Sequence, residues 1–217
     1  MTKKERKRKK KEQMKNKRLI KKYYWLRPLS AWTGKPLEDY DYTFIEWGWC
    51  PGWDKAFGQM FMDELGAAIN ESGQKDYQIV QIKEKYGSLR LYDNGSSQKV
   101  HDVIRKYEII SQHVCMNCGR EAPTINDGWV SVMCFDCFKK YYRRREQYYD
   151  HEPITDEEIK ELYDKYVCDT VDESGNYHIP NSYKYSTFKN GDDIVTVEVN
   201  MSDTVNKIKK RISKFKR

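Results

Sequence analysis

Two Cys-x-x-Cys pairs, Cys115–Cys118 and Cys134–Cys137, stand fifteen residues apart near the middle of the chain. Within each pair a tight turn lets both sulfurs reach one cation, and the interval between the pairs holds a short hairpin that brings them together. The spacing predicts one tetrahedral zinc ion held by four thiolates. Few sequence features constrain a fold so strongly, because every element between residues 115 and 137 must deliver a sulfur to the same point. Gly119 suits the left-handed turn that closes the first pair. Asn126-Asp127-Gly128 reads as a turn before the strand-like run Trp129–Met133, and the second pair opens a helix over 135–149. A helix N-terminus favours negative sulfur there.

The order of these pieces, a pair on a loop, a hairpin and a pair at a helix start, resembles the treble-clef type of zinc finger. A zinc ribbon, with both pairs on hairpin loops, is the alternative. Four thiolates close the shell in either case, so the metal is expected to be structural and no enzyme activity is expected. Nucleases built on the treble clef need histidines on the hairpin and on the helix. Here His113 precedes the first pair, His151 follows the helix, and neither falls in a matching place. Asp76 with Gln81-x-Lys83 weakly resembles a restriction-type nuclease core but lacks a second acid and a sheet large enough for one. Cys50 and Cys168 read as ordinary free thiols, and His101 as a local hydrogen-bonding group on a helix.

Charge is distributed unevenly. Residues 1–27 hold fourteen Lys/Arg against Glu5 and Glu12, and residues 207–217 hold seven with no acid. The chain's net charge is +7, so residues 28–206 carry −12. An acidic body with two basic ends is expected to reach for nucleic acid, DNA or RNA, or for an acidic partner. The first end, with Lys3, Lys4, Arg6, Lys7, Arg8, Lys9, Lys10 and Lys11, has almost no apolar residue before Leu19. Composition predicts a disordered basic arm over 1–22 that a polyanion would order as helix. Candidate phosphate contacts also lie on the helix after Cys137, at Lys139, Lys140, Arg143 and Arg144, whose opposite face is aromatic. Lys209, Lys210 and Lys214 complete the set on a basic C-terminal helix over 203–216, where Val205, Ile208, Ile212 and Phe215 form the apolar stripe. There is no apolar run long enough to span a membrane and no secretory signal. Four of six cysteines in metal pairs suit a reducing compartment, so a cytoplasmic location is expected.

The remaining pieces predict an α+β fold. Residues 23–53, rich in Trp, Tyr and Phe and broken by Pro and Gly, read as an irregular strap with one short strand at 42–47. A helical stripe runs from Trp53 to Asn70, and strands at 77–86 and 89–93 are joined through Gly87-Ser88, with Val80, Ile82, Leu89 and Leu91 facing a core. Ser96 or Ser97 caps a helix that delivers the chain into Cys115. Thr155-x-x-Glu158 is a capping box with Ile154 and Ile159 as its staple, Ser174-Gly175-Asn176 a turn, and Tyr183–Phe188 with Ile194–Val199 a hairpin. The expected architecture is therefore a basic arm (1–22), a helix–hairpin–helix core joined to the four-cysteine finger (23–150), and a helix–hairpin–helix extension (151–217).

Trp47-Gly-Trp49, Gly52-Trp53, the run Gln81-Ile-Lys-Glu-Lys-Tyr-Gly-Ser-Leu-Arg-Leu-Tyr92 and the two cysteine pairs together resemble a group of uncharacterised bacteriophage proteins. The likeness covers residues 45–140 and implies a phage origin, with the host cytoplasm or the virion as locations. In the matching run Lys83, Lys85 and Arg90 alternate with Ile82, Tyr86 and Leu89, which predicts one basic and one buried hairpin face. The function expected is that of a phage accessory protein binding nucleic acid through its basic ends. Alternatives are a module docking on a host or phage complex, such as a polymerase, ribosome or defence assembly, and a virion protein contacting the genome.

Overall fold

The computed structural model describes residues 1–30, 33–37, 49–146, 154–168, 177–189 and 193–214. Its elements are mixed helix and small sheets, with three two-stranded sheets among the described residues. The chain divides into two compact units, one of residues 1–49, 59–85 and 89–108, the other of residues 50–58, 86–88 and 109–217. The strand at 42–47, the turn at 174–176 and Phe215 fall outside the described residues. No helix among the described residues is long and apolar enough to cross a membrane.

In the first unit, α1 spans Lys3–Lys22. This is a helix where composition predicts a disordered arm. Composition reflects apolar burial alone, whereas two local devices fix the ends of this helix. At the start, the Thr2 side chain accepts from the Glu5 N–H while Glu5 accepts from the Thr2 N–H, a complete capping box. At the end, Tyr23 is buried and its hydroxyl donates to Asp63 Oδ1 at 2.6 Å. Lys22 donates to the same oxygen, and the Gln59 amide donates to both the Tyr23 hydroxyl and Asp63 Oδ2. Nucleation is the costly step in making a helix, so an anchored end favours the rest.

Gln59 and Asp63 belong to α3 (Gln59–Ser72), which ends at Gly73 in the left-handed conformation. Trp25, in a 3-10 turn after α1, lies against Gly66 of α3, where an added Cβ would meet the indole at 2.9 Å. Phe61 stacks on Trp49 and meets Tyr107 edge-on. Strands β1 (Ile79–Lys85) and β2 (Ser88–Asp93) pair, and α4 (Gln98–Ser111) follows with the Ser97 hydroxyl accepting at its start. On β1 the buried residues are Ile79 and Ile82, while Val80 is exposed. The expectation for Val80 fails because burial on β1 does not follow strict alternation. Glu108 of α4 is buried, accepts from the Leu91 N–H and is flanked by Arg105 and Arg90 at 3.3 and 3.7 Å.

Burial works against the Asp63 carboxylate, but hydrogen bonds from Tyr23, Gln59 and Lys22 outweigh it and hold its pKa near 2. A carboxyl whose pKa falls on folding stabilises above its unfolded value, here 3.8, and that contribution is lost as pH drops through about 2. Acidification across this window is therefore expected to release the end of α1. Asp63→Asn should do the same at neutral pH, read as faster amide exchange at residues 15–23 with α3 unchanged.

In the second unit, a single helical turn α2 (Pro51–Trp53) leads into a π turn at Asp54–Gly58. The predicted 53–70 helix is thus interrupted by a wider turn. Strands β3 (Thr124–Asn126) and β4 (Val130–Val132) pair antiparallel, with Ile125 opposite Ser131. They are followed by α5 (Phe135–Glu146) and α6 (Asp156–Tyr166), the latter capped by Thr155 and Glu158 as its sequence predicts. Ile125, Phe138, Ile159 and Tyr163 form a buried cluster between these elements. Strands β5 (Ser182–Lys189) and β6 (Asp193–Asn200) pair with Tyr183 opposite Val199 and Tyr185 opposite Val197. The final helix α7 (Ser202–Ser213) buries Val205, Ile208 and Ile212 and packs on the π turn.

Candidate metal centre

Cys115 is reached directly from α4 through His113 and Val114. Its N–H donates to the Arg120 carbonyl and its carbonyl accepts from the Gly119 N–H, which closes the first knuckle. Gly119 has φ of 84°, as the predicted left-handed turn requires. The knuckle is tied to the hairpin by the Met116 N–H, which donates to the Val132 carbonyl. Cys134 sits just before α5, where its carbonyl accepts from the N–H groups of Cys137 and Phe138. The helical turn thereby points both sulfurs of the second pair at the knuckle.

The four ligand atoms of Cys115, Cys118, Cys134 and Cys137 lie within 4.8 Å of one another. Cys118 Sγ and Cys134 Sγ are 3.6 Å apart, far beyond the ~2 Å of a disulfide bond. A tetrahedron with zinc–sulfur bonds of about 2.3 Å has sulfur–sulfur edges of ~3.8 Å, close to this spacing. The residues present therefore form a zinc-finger-like site that can hold a metal ion, and the all-sulfur donor set fits zinc. Cys115 is fully buried and the other three are partly exposed.

Thiols this close share protons. The Cys118 thiol is held far below its ordinary range by hydrogen bonds with Cys115, Cys134 and Cys137, while Cys137 is pushed far above it by bonds with Cys115, Cys118 and Cys134. Four neighbouring thiolates without a counter-charge repel, and a divalent cation removes that conflict by binding all four deprotonated. Arg120 adds charge from outside: its Nη2 donates to Cys134 Sγ at 3.5 Å and pairs with Asp136.

The knuckle is seated on α2 and the π turn. Gly52 N–H donates to the Met116 carbonyl at 2.7 Å, and Lys55 Nζ reaches the Asn117 carbonyl. Gly52 and Gly119 face each other so closely that a Cβ on Gly52 would stand 1.9 Å from the Cys115 carbonyl oxygen. The sequence shows Gly52 and Gly119 without showing that they meet, because 66 residues separate them. The β1–β2 turn also belongs to this unit. It is Tyr86-Gly87, both with positive φ, rather than the expected Gly87-Ser88. Gly87 lies against the backbone of Ser131 and Val132, and Tyr86 is exposed where a buried face is expected.

The candidate phosphate contacts are placed in three ways. Lys3, Lys4, Arg6, Lys7, Arg8, Lys9, Lys10 and Lys11 are all exposed on α1. On α5, Lys139 and Arg143 turn to Asp156 at the first turn of α6, and Arg143 also donates to the Ile154 carbonyl at 2.6 Å. These two cations hold α5 to α6, a role invisible in a helical wheel because it depends on where α6 returns. Lys140 and Arg144 remain exposed. On α7, Lys209 pairs with Glu121 at 3.4 Å, while Lys210 and Lys214 are exposed.

No family model, curated protein or solved structure matches this chain.

Proposed function

We propose that this chain binds nucleic acid without sequence preference, through α1 and exposed cations of α5 and α7. One observation carries the reading: a helix of 20 residues holds thirteen Lys/Arg against two Glu, and residues 1–11 are exposed throughout. Such a helix is about 30 Å long. Like charges along it repel, and a phosphate backbone relieves the repulsion while releasing its own condensed counterions. An open groove of about 870 Å³ runs along α1, lined by Met14 and Leu19 together with the stems of Lys7, Lys11, Arg18 and Lys22.

The finger is a rigid mount in this reading. Its order of knuckle, hairpin and helix supports a treble-clef-like arrangement, and its four-sulfur shell leaves no position for substrate or activated water. The chain then acts by binding and not by catalysis. An infected cell is the proposed setting, on the sequence resemblance of residues 45–140 alone. A docking module on a nucleoprotein complex is the second reading. It is favoured by the −12 charge of residues 28–206, which opposes coating of a polyanion by the whole surface.

The test is binding to random duplex and single strands across a salt series, with the full chain and with residues 2–22 deleted. If six phosphates are neutralised, log K should fall with log salt at a slope of about −5. Deletion should lower affinity at least ten-fold and flatten the slope. A full chain that fails to bind at low salt, or a deletion without effect, contradicts the proposal.

A further inference from the structure

Two aromatic side chains of the second unit stand out from turns whose backbones are fixed. Trp129 is 72% exposed and Tyr86 is 70% exposed, in a chain whose other Trp residues with a described exposure are buried or half-buried. Trp129 follows Gly128, which takes φ of 102° in the β3–β4 turn, and the Gly128 N–H is held by the Asn126 side chain. Tyr86 takes φ of 53° in the two-residue β1–β2 turn, an unusual conformation for a bulky residue. At such a tip the side chain leaves most of its surface exposed. The two turns are neighbours, because Gly87 lies against the backbone of Ser131 and Val132, two and three residues beyond Trp129. At ~3.3 Å per strand residue, this brings the two backbones to within roughly 10 Å.

One cation is held at the β3–β4 turn. Arg145 of α5 pairs with Asp127 of the β3–β4 turn at 3.9 Å and lies over the Tyr141 ring at 5.5 Å. Arg144 and Lys140, on the same helix, are exposed. Flat exposed rings, with one guanidinium held at the β3–β4 turn, match unpaired bases and the phosphates that join them. Duplex DNA hides its base faces and offers such rings nothing to stack on.

We propose that Trp129 and Tyr86 form a stacking platform for single-stranded nucleic acid, with Arg144, Arg145 and Lys140 on its backbone. This rests on the nucleic-acid reading above and narrows its ligand to strands with unpaired bases. The platform is part of the finger: the four-cysteine knuckle is tied to β4 and the Tyr86-Gly87 turn lies on β4, so the knuckle helps fix where the rings stand.

The test compares a short mixed-sequence oligonucleotide, as single strand and as duplex, by fluorescence anisotropy with the full chain. Trp129→Ala is expected to lose about ten-fold in single-strand affinity, within the range of one stacked base, while duplex affinity stays within about two-fold. Trp129→Tyr should restore most of the loss, and Tyr86→Ala should add to it. Because both side chains are exposed, metal content and helicity should be unchanged, and they are measured on each variant. Equal losses for single strand and duplex, or no loss for either, overturn the platform while salt-dependent binding still supports the nucleic-acid reading. A full chain that binds neither form overturns both. Retained single-strand affinity with loss of a captured protein partner would assign the rings to docking, and likewise overturns the platform.

Discussion

Cys118→Ser is expected to release the metal and unfold the finger. Structural zinc contributes about 10–16 kcal/mol of apparent binding free energy in isolated fingers, comparable with the whole ~5–15 kcal/mol stability of a typical domain. Apart from its hydrogen bonds to α2, the π turn and β4, little apolar packing holds the knuckle. Its core is Cys115, Ala122 and Val132, around which the remaining buried contacts are the cysteines themselves with Met116 and Met133. With one sulfur missing, three thiols face each other without a cation, and strands of three residues each cannot hold the hairpin alone. The effect should spread, since Met133 also packs on the Phe138–Tyr163 cluster and its carbonyl accepts from the Tyr163 hydroxyl. Elemental analysis should find one zinc per native chain and none in the variant. Circular dichroism should show lost helix, and amide exchange should rise in α5 and α6. A variant with full metal content and unchanged exchange would refute the four-sulfur site.

Gly52→Ala should also be damaging, though less so than loss of a ligand, and although the side chain gained is one methyl group. Its Cβ would lie 1.9 Å from the Cys115 carbonyl oxygen and 2.8 Å from both the Gly119 nitrogen and the Met116 carbonyl carbon. All three are backbone atoms of the four-cysteine knuckle, so no side chain can swing aside. Either α2 withdraws, breaking the Gly52–Met116 hydrogen bond, or the knuckle shifts and misplaces Cys115 and Cys118. Overpacking commonly costs 1–3 kcal/mol, and with backbone on both sides the upper end, about 3 kcal/mol, is expected here. That corresponds to a melting temperature roughly 10 °C lower for a chain of this size. Zinc competition against a chromophoric chelator should show affinity lower by about a hundred-fold. A variant that melts and binds zinc like the native chain would show that α2 and the knuckle do not approach so closely.

What the sequence discloses here is whatever depends on near neighbours. Cys115 and Cys118, Cys134 and Cys137, Thr155 and Glu158, and the alternation on either side of residues 190–192 all work through spacings of a few residues. The chemistry therefore shows in the letters. What it hides depends on distant returns of the chain. Lys139 and Arg143 look like an open basic face until Asp156 arrives beside them. Gly52 looks like a loop glycine until the knuckle settles on it. The same applies to Asp63, whose position on a helical stripe says nothing of Tyr23 or Lys22. In α1 the local signal exists, since Thr2 and Glu5 are a capping box, but it lies within a charge run that by composition predicts disorder. Tyr86 illustrates a different limit. Its place among alternating residues suggests burial, and only the two-residue turn at Tyr86-Gly87 turns it outward.

One contact in the finger governs how it behaves as a separate piece. Beyond α6 the chain comes back to β3: Ile125 bridges Val167, and the Cys168 N–H donates to the Thr124 carbonyl. A strand of three residues paired on one side would otherwise show its bare rim to solvent, a template for another chain's backbone. Residues 167 and 168 serve as a selvedge that stops this small sheet from fraying into its neighbours. A finger excised after α5 keeps all four sulfurs but loses that border, along with the Ile159 and Tyr163 side chains that cover Phe138. In such a fragment, self-association would say more about where the chain was cut than about the protein.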